Sequence, residues 1–228
     1  MVALDYDRLT PALDVARRLR GAVGLCKVGN QLFTAEGPRA VQELAGLGFE
    51  IFLDLKFHDI PNTVIGAVAA AANLRNVTML TVHTSGGLAM MRAAREALAG
   101  RKAGPALLGV TVLTSLDAAA LRRIGISGTP ASRALALAKL AKEAGLDGVV
   151  ASAHEVRSIR RACGSNFLIV VPGVRPVGSA ANDQSRVASP AEAIRAGASY
   201  LVVGRPITAA EDPRAAALGI ASEIEPQL

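Results

Sequence analysis

Short apolar runs rich in β-branched residues recur eight times along this chain, at positions 2–4, 25–28, 51–56, 79–83, 106–113, 148–152, 168–174 and 200–204. Most are nearly continuous in apolar character, the pattern of strands covered on both faces, as in parallel sheets. Segments rich in Ala, Leu and Arg separate them, among them 35–47, 64–73, 88–99 and 132–144, and their spacing is helical. Gly48, Gly145 and Gly197 stand just before the next apolar run, where a helix end calls for glycine. Repeated strand–helix units of this kind predict a (β/α)8 TIM barrel. A doubly wound open sheet shares the alternation, but no G-x-G-x-x-G turn follows the first run, which counts against its dinucleotide-binding form. Two intervals are stretched: one carries an extra segment at 116–129, the other a polar loop at 175–189 with Gly178, Asn182, Asp183 and Gln184.

At 228 residues the chain is long enough for one large domain spanning 1–228. Apolar residues make up 51%, yet no stretch is long and apolar enough for a bilayer span, so no membrane association is expected. The first residues run directly into a strand pattern, which predicts no signal peptide. Cys26 and Cys163 are the only cysteines, too few for a disulfide framework, and the expected compartment is a reducing cytoplasm. His58, His83 and His154 are scattered, with no ligand spacing, so no metal site is expected. The net charge of +6 raises the question of nucleic acid. The basic residues are dispersed, however, in pairs such as Arg92/Arg95, Arg122/Arg123 and Arg160/Arg161 that read as solvated helix faces. With aromatics at 3% and no Trp, stacking platforms are scarce. A small anionic ligand is the better use of the positive balance, and a basic nucleic-acid-binding domain is the weaker alternative.

The run DLKFHDIPNT at 54–63 concentrates charge at the end of the third apolar run. Strand alternation puts Asp54 and Lys56 on one side, and Asp59 follows before Pro61. Such a cluster could be a structural ion pair. Desolvating each ion costs several kcal/mol, which makes stability alone a poor reason for it. In a barrel the site lies at the C-terminal strand ends. Reading those ends gives Asp5, Lys27, Asp54 with Lys56 and Asp59, His83, Thr114 with Ser115, Arg175, and Gly204 with Arg205. Polar and charged groups thus converge on one rim, as in catalytic sites. The loops after the last two strands are the usual phosphate-binding place, and Gly204-Arg205-Pro206 offers close backbone approach and a guanidinium fork.

These blocks resemble the orotidine 5′-phosphate decarboxylase family. The likeness lies in 2–5, 27–29, 33–38, 52–63, 110–115, 172–176, Asp183 with Gln184, and 203–206, across essentially the whole chain. It implies decarboxylation of orotidine 5′-monophosphate to uridine 5′-monophosphate without a cofactor, by a cytoplasmic homodimer. By the same resemblance Lys56 is the acid that protonates C6, and Asp54 lies beside the substrate carboxylate. Lys27 and Asp59 complete a Lys–Asp–Lys–Asp array, with Asp59 reaching in from the partner chain. Asp5 and Lys27 hold ribose hydroxyls, with Thr63 helping from the partner, and Thr114 reads the pyrimidine edge. Gln184 bridges base and phosphate, Gly204 and Arg205 grip the phosphate, and Arg175 binds substrate from the closing 175–189 loop. The chemistry is coherent: a cofactor-free carbanion has no electron sink, so only protein electrostatics and a proton donor can serve it. A magnesium-dependent sugar-phosphate decarboxylase or aldolase, similar to 3-keto-gulonate 6-phosphate decarboxylase or hexulose phosphate synthase, shares the D-x-K-x-x-D core. The 60–63 continuation and Gln184 favour the nucleotide enzyme.

Overall fold

A computed structural model describes residues 1–101, 103–176 and 188–227. Its centre is one eight-stranded, all-parallel sheet in which sequence neighbours pair in order. The strands are β1 (Val2–Ala3), β2 (Leu25–Gly29), β3 (Glu50–Phe57), β4 (Val77–His83), β5 (Ala106–Val110), β6 (Gly148–Val150), β7 (Leu168–Pro172) and β8 (Tyr200–Val202). The sheet closes on itself through a parallel bridge between Val2 and Val203, with Ala3 N–H donating to Val203 O at 2.8 Å. The described helices are α1 (Leu9–Arg18), α2 (Asn30–Glu36), α3 (Pro38–Gly46), α4 (Pro61–Ala71), α5 (Gly87–Glu96), α6 (Ala118–Arg123), α7 (Pro130–Glu143), α8 (Val156–Cys163), α9 (Pro190–Arg195), α10 (Arg205–Thr208) and α11 (Pro213–Ile224). This is the (β/α)8 barrel read from the sequence.

Alternation along each strand sorts the apolar residues into two cores. Ile51, Leu53, Leu80, Val82, Val149 and Ile169 face the helical layer. Ala3, Phe52, Met79, Leu108, Val110, Val150, Val170 and Val202 fill the barrel interior. The parity that sends Phe52 inward also sends Asp54 and Lys56 inward, one and two steps nearer the C-terminal rim.

Three details differ from the sequence reading. The helix expected at 35–47 is two helices, because Gly37 takes φ 60° and ends α2 while Pro38 starts α3. The run at 106–113 stops being regular strand at Val110, and the irregular residues that follow, Val112, Leu113 and Thr114 among them, line the mouth of the barrel. Arg160 is no solvated face. Its guanidinium donates to the carbonyls of Gly164, Ser165, Phe167 and Gly197 and to Ser199 Oγ, tying the end of α8 to the turns before β7 and β8. Cys26 and Cys163 are both buried thiols, and burial pushes Cys26 up to about 12. No helix among the described residues is long and apolar enough to cross a membrane.

Arg160→Ala strands several of these carbonyls at once. It is expected to lower unfolding stability by on the order of 3 kcal/mol. Arg160→Lys should recover little, since an ammonium lacks the planar fork. Urea unfolding of the variants measures both.

Candidate active site

The C-terminal mouth of the barrel holds a cavity of about 530 Å³. Its floor is the top of the inner core, Phe52, Val110, Val150 and Val202, and its wall carries Asp5, Lys27, Gln31, Asp54, Lys56, Thr114, Arg175, Gly204 and Arg205.

One wall is a chain of alternating charges. Asp5 Oδ1 lies 3.0 Å from Lys27 Nζ, Lys27 Nζ lies 3.8 Å from Asp54 Oδ2, and Asp54 Oδ2 lies 2.8 Å from Lys56 Nζ. Asp54 is only 7% exposed. A carboxylate so far from water needs every lone pair engaged. Its Oδ2 meets the two ammonium groups, and its Oδ1 accepts a hydrogen bond from Thr81 Oγ1 at 3.0 Å. Gly29 makes room for this arrangement. It pairs with Asp54 across the β2–β3 ladder, and a Cβ there would sit 2.8 Å from Lys27 Nζ and 3.3 Å from Asp5 Oδ1.

Lys56 reaches its place through a bulge. Leu53 pairs with Leu80 and Phe57 with Val82, so β3 has three residues where β4 has only Thr81. Two extra residues preserve the inward parity of Lys56. They also force it to φ 52°, a left-handed conformation that costs a non-glycine residue roughly 1–3 kcal/mol.

The wall beyond β7 and β8 carries guanidinium charge. Arg175 is 6% exposed, its Nη1 donates to Val174 O, and its Nε is buried with no hydrogen-bond partner among the described residues. Burial and the nearby charge of Arg205 both push the Arg175 guanidinium below its ordinary range. Arg205 opens α10 directly after Gly204. A Cβ on Gly204 would meet only Ala3 Cβ, at 3.7 Å, so packing does not require glycine there.

The cavity thus unites Asp5, Lys27, Asp54, Lys56, Thr114, Arg175, Gly204 and Arg205. It does not include Asp59 or Thr63 of the same chain. Both are exposed, Asp59 before α4 with its Oδ1 accepting from Ile60 N–H and Thr63 in the first turn of that helix. Gln184 lies outside the described residues. The sequence reading gave no role to Gln31, Gly29, Phe52 or Thr81. The position of Gln31 just past β2 was the one available signal. His83 contacts Ser85 Oγ at 2.6 Å and stacks on His58 with ring centroids 5.3 Å apart. Among the described residues, no three His, Cys, Asp or Glu side chains gather in a way that could hold a metal.

Fold and site together define a (β/α)8-barrel enzyme with a charged cavity at its C-terminal rim. The chain belongs to the orotidine 5′-phosphate decarboxylase / HUMPS family, whose sequence model matches residues 1–220. It is 54% identical over 224 residues to the orotidine 5′-phosphate decarboxylase of Nitrosococcus oceani, covering 98% of this chain and 96% of that protein. The Moorella thermoacetica protein of the same name is also 54% identical, with 99% and 91% covered. Among solved structures, orotidine 5′-phosphate decarboxylase from Lactobacillus acidophilus superposes with a TM-score of 0.82 at 40% identity, covering 98% of this chain and 97% of that one.

Burial, then the charges of His58 and Lys56, lower the pKa of His83. Its neutral form is therefore the one the fold favours. The linked stability is fully present above the unfolded value of about 6.5 and is lost as pH falls through the lowered folded value. Denaturant midpoints across that range are expected to fall with acid, and His83→Gln should flatten this part of the curve.

Proposed function

We propose that this protein decarboxylates orotidine 5′-monophosphate to uridine 5′-monophosphate and carbon dioxide, the step that completes the pyrimidine nucleotide. The observation that carries the reading is the pairing of two walls. One is a Lys–Asp–Lys array around a buried carboxylate over an apolar floor, and the other is a pair of like-charged guanidiniums with a buried donor that has no partner among the described residues. The first suits a reaction that creates negative charge on carbon, the second an anionic phosphate. Family membership and relatives named for this reaction support the substrate.

In the proposed mechanism the phosphate is held by Arg205, the Gly204 backbone and Arg175, with Gln184 bridging it to the base. Thr114 reads the pyrimidine edge, and Asp5 and Lys27 bind ribose hydroxyls. The bond from C6 to the carboxylate breaks, carbon dioxide leaves, and the electron pair stays on C6. The Lys56 ammonium stabilises that pair and then donates its proton to it, giving the product base and a neutral amine. Asp54 holds Lys56 in register and faces the departing carboxylate. Binding energy from the remote phosphate assists by ordering the site around the base.

The array ends at Lys56 within one chain, and we assign its next member to Asp59 of a second copy, with Thr63 beside it. The exposure of Ile60, at 65%, and of Ile65 next to these residues supports an apolar contact between copies there. Two unpaired buried cysteines suit a reducing cytoplasm.

The direct test is loss of orotidine 5′-monophosphate absorbance on mixing with protein dialysed exhaustively against a chelator. Full activity is expected. Activity that returns only with added magnesium would favour the sugar-phosphate chemistry that the family also covers. For the shared site, Lys56→Ala and Asp59→Ala homodimers should both be nearly inactive. After subunit exchange about half the dimers are mixed, each with one intact site, so roughly a quarter of wild-type activity should return. Confirmed exchange without recovery would put Asp59 outside the site.

A further inference from the structure

Three threonines are fully or almost fully buried among the described residues: Thr81, Thr84 and Thr111. Two satisfy their hydroxyls on the carbonyl of a strand residue. Thr84 donates to Val110 O at 2.6 Å and Thr111 to Val150 O at 2.9 Å. Thr81 does something else. Its Oγ1 donates to the Asp54 carboxylate at 3.0 Å and accepts the Lys56 backbone N–H at 2.9 Å. It is also the single β4 residue standing opposite the three-residue bulge of β3.

We infer that Thr81 is a positioning residue for the reaction: one hydroxyl fixes both the Asp54 carboxylate and the left-handed Lys56 backbone, so that the ammonium is held where the proton must be delivered. This rests on the assignment of Lys56 as the proton donor. Two contacts from one atom couple two degrees of freedom. The bond to Oδ1 sets the plane of the carboxylate, which turns Oδ2 toward Lys56 and Lys27. The bond from Lys56 N–H satisfies an amide that the bulge removes from the β3–β4 ladder, and so holds the strained φ in place. Without the hydroxyl, the carboxylate is free to rotate, the bulge can relax, and the Lys56 side chain swings with its backbone. A displacement near 1 Å at a reacting group costs about 100-fold in rate.

Thr81→Val keeps the branched shape and removes the hydroxyl, and Thr81→Ser keeps the hydroxyl. Steady-state kinetics on orotidine 5′-monophosphate, calorimetric binding of uridine 5′-monophosphate and hydrogen exchange at the Lys56 amide are measured on both variants. The expected result for Thr81→Val is a kcat lowered about 10- to 100-fold, on that displacement scale. KM and product affinity should stay within about threefold, faster exchange should appear at Lys56, and Thr81→Ser should recover most of each loss. A kcat within threefold of wild type overturns the inference. So does a loss of product affinity as large as the loss of kcat, or a serine variant no better than valine. If the wild-type protein leaves orotidine 5′-monophosphate intact, the functional reading fails. The clamp is then judged on the Lys56 amide alone, where unchanged exchange in Thr81→Val overturns it.

Discussion

A carboxylate stripped of nearly all its water must recover its hydration energy from its neighbours, and every neighbour of Asp54 belongs to the site. Lys56 and Lys27 approach one of its oxygens and Thr81 binds the other. Lys27 in turn is fixed by Asp5, at the end of the first strand. Three strands and the segment just past a fourth thus send side chains into one electrostatic unit whose centre is anionic. Removing Lys27 or Lys56 would leave the buried carboxylate only partly compensated, where breaking a buried ion pair outright costs about 3–5 kcal/mol. Chemistry and stability therefore bear on the same residues, and the site is preorganised because the alternative is an unpaired ion.

The bulge in β3 follows from the same demand. A regular strand would put Lys56 inward as well, but with its backbone in the ladder beside β4. Two extra residues retain the parity while freeing the Lys56 amide to meet Thr81. The left-handed φ at Lys56 is the cost of that placement, and its location at the lysine proposed as proton donor fits the tendency of strain to collect where geometry is functional.

The barrel was legible because strands buried on both faces leave long apolar runs, and the charged rim was legible because charge at a buried strand end is so seldom neutral in meaning. The shared side of Asp54 and Lys56 followed from alternation alone. The bulge did not: no glycine or asparagine marks position 56, and its conformation is imposed by contacts with β4. Thr81 was invisible for a related reason, since a threonine within an apolar run reads as an ordinary strand former. Gly37-Pro38 did carry a break signal, which the apolar period across 35–47 outweighed. Arg160 looked like solvated charge because its acceptors are carbonyls at the ends of distant turns, and carbonyls leave no trace in composition. Roles assigned to Asp59 and Thr63 came from family resemblance, and a single chain's cavity has no place for either.

The closing bridge of the barrel has a consequence for how the molecule comes into being. Val2 pairs with Cys26 on one side and with Val203 on the other, and residues near this seam hydrogen-bond across 200 positions of sequence. During synthesis β1 can gain its β2 partner early, but its other edge stays open until Val203, some two hundred positions later, has emerged. Contacts of such long range are slow to form, and an unpaired apolar edge is open to wrong partners in the interval. Asp5 lies just beyond that first strand, so the outermost member of the charge chain is held by an element that is among the first made and the last enclosed.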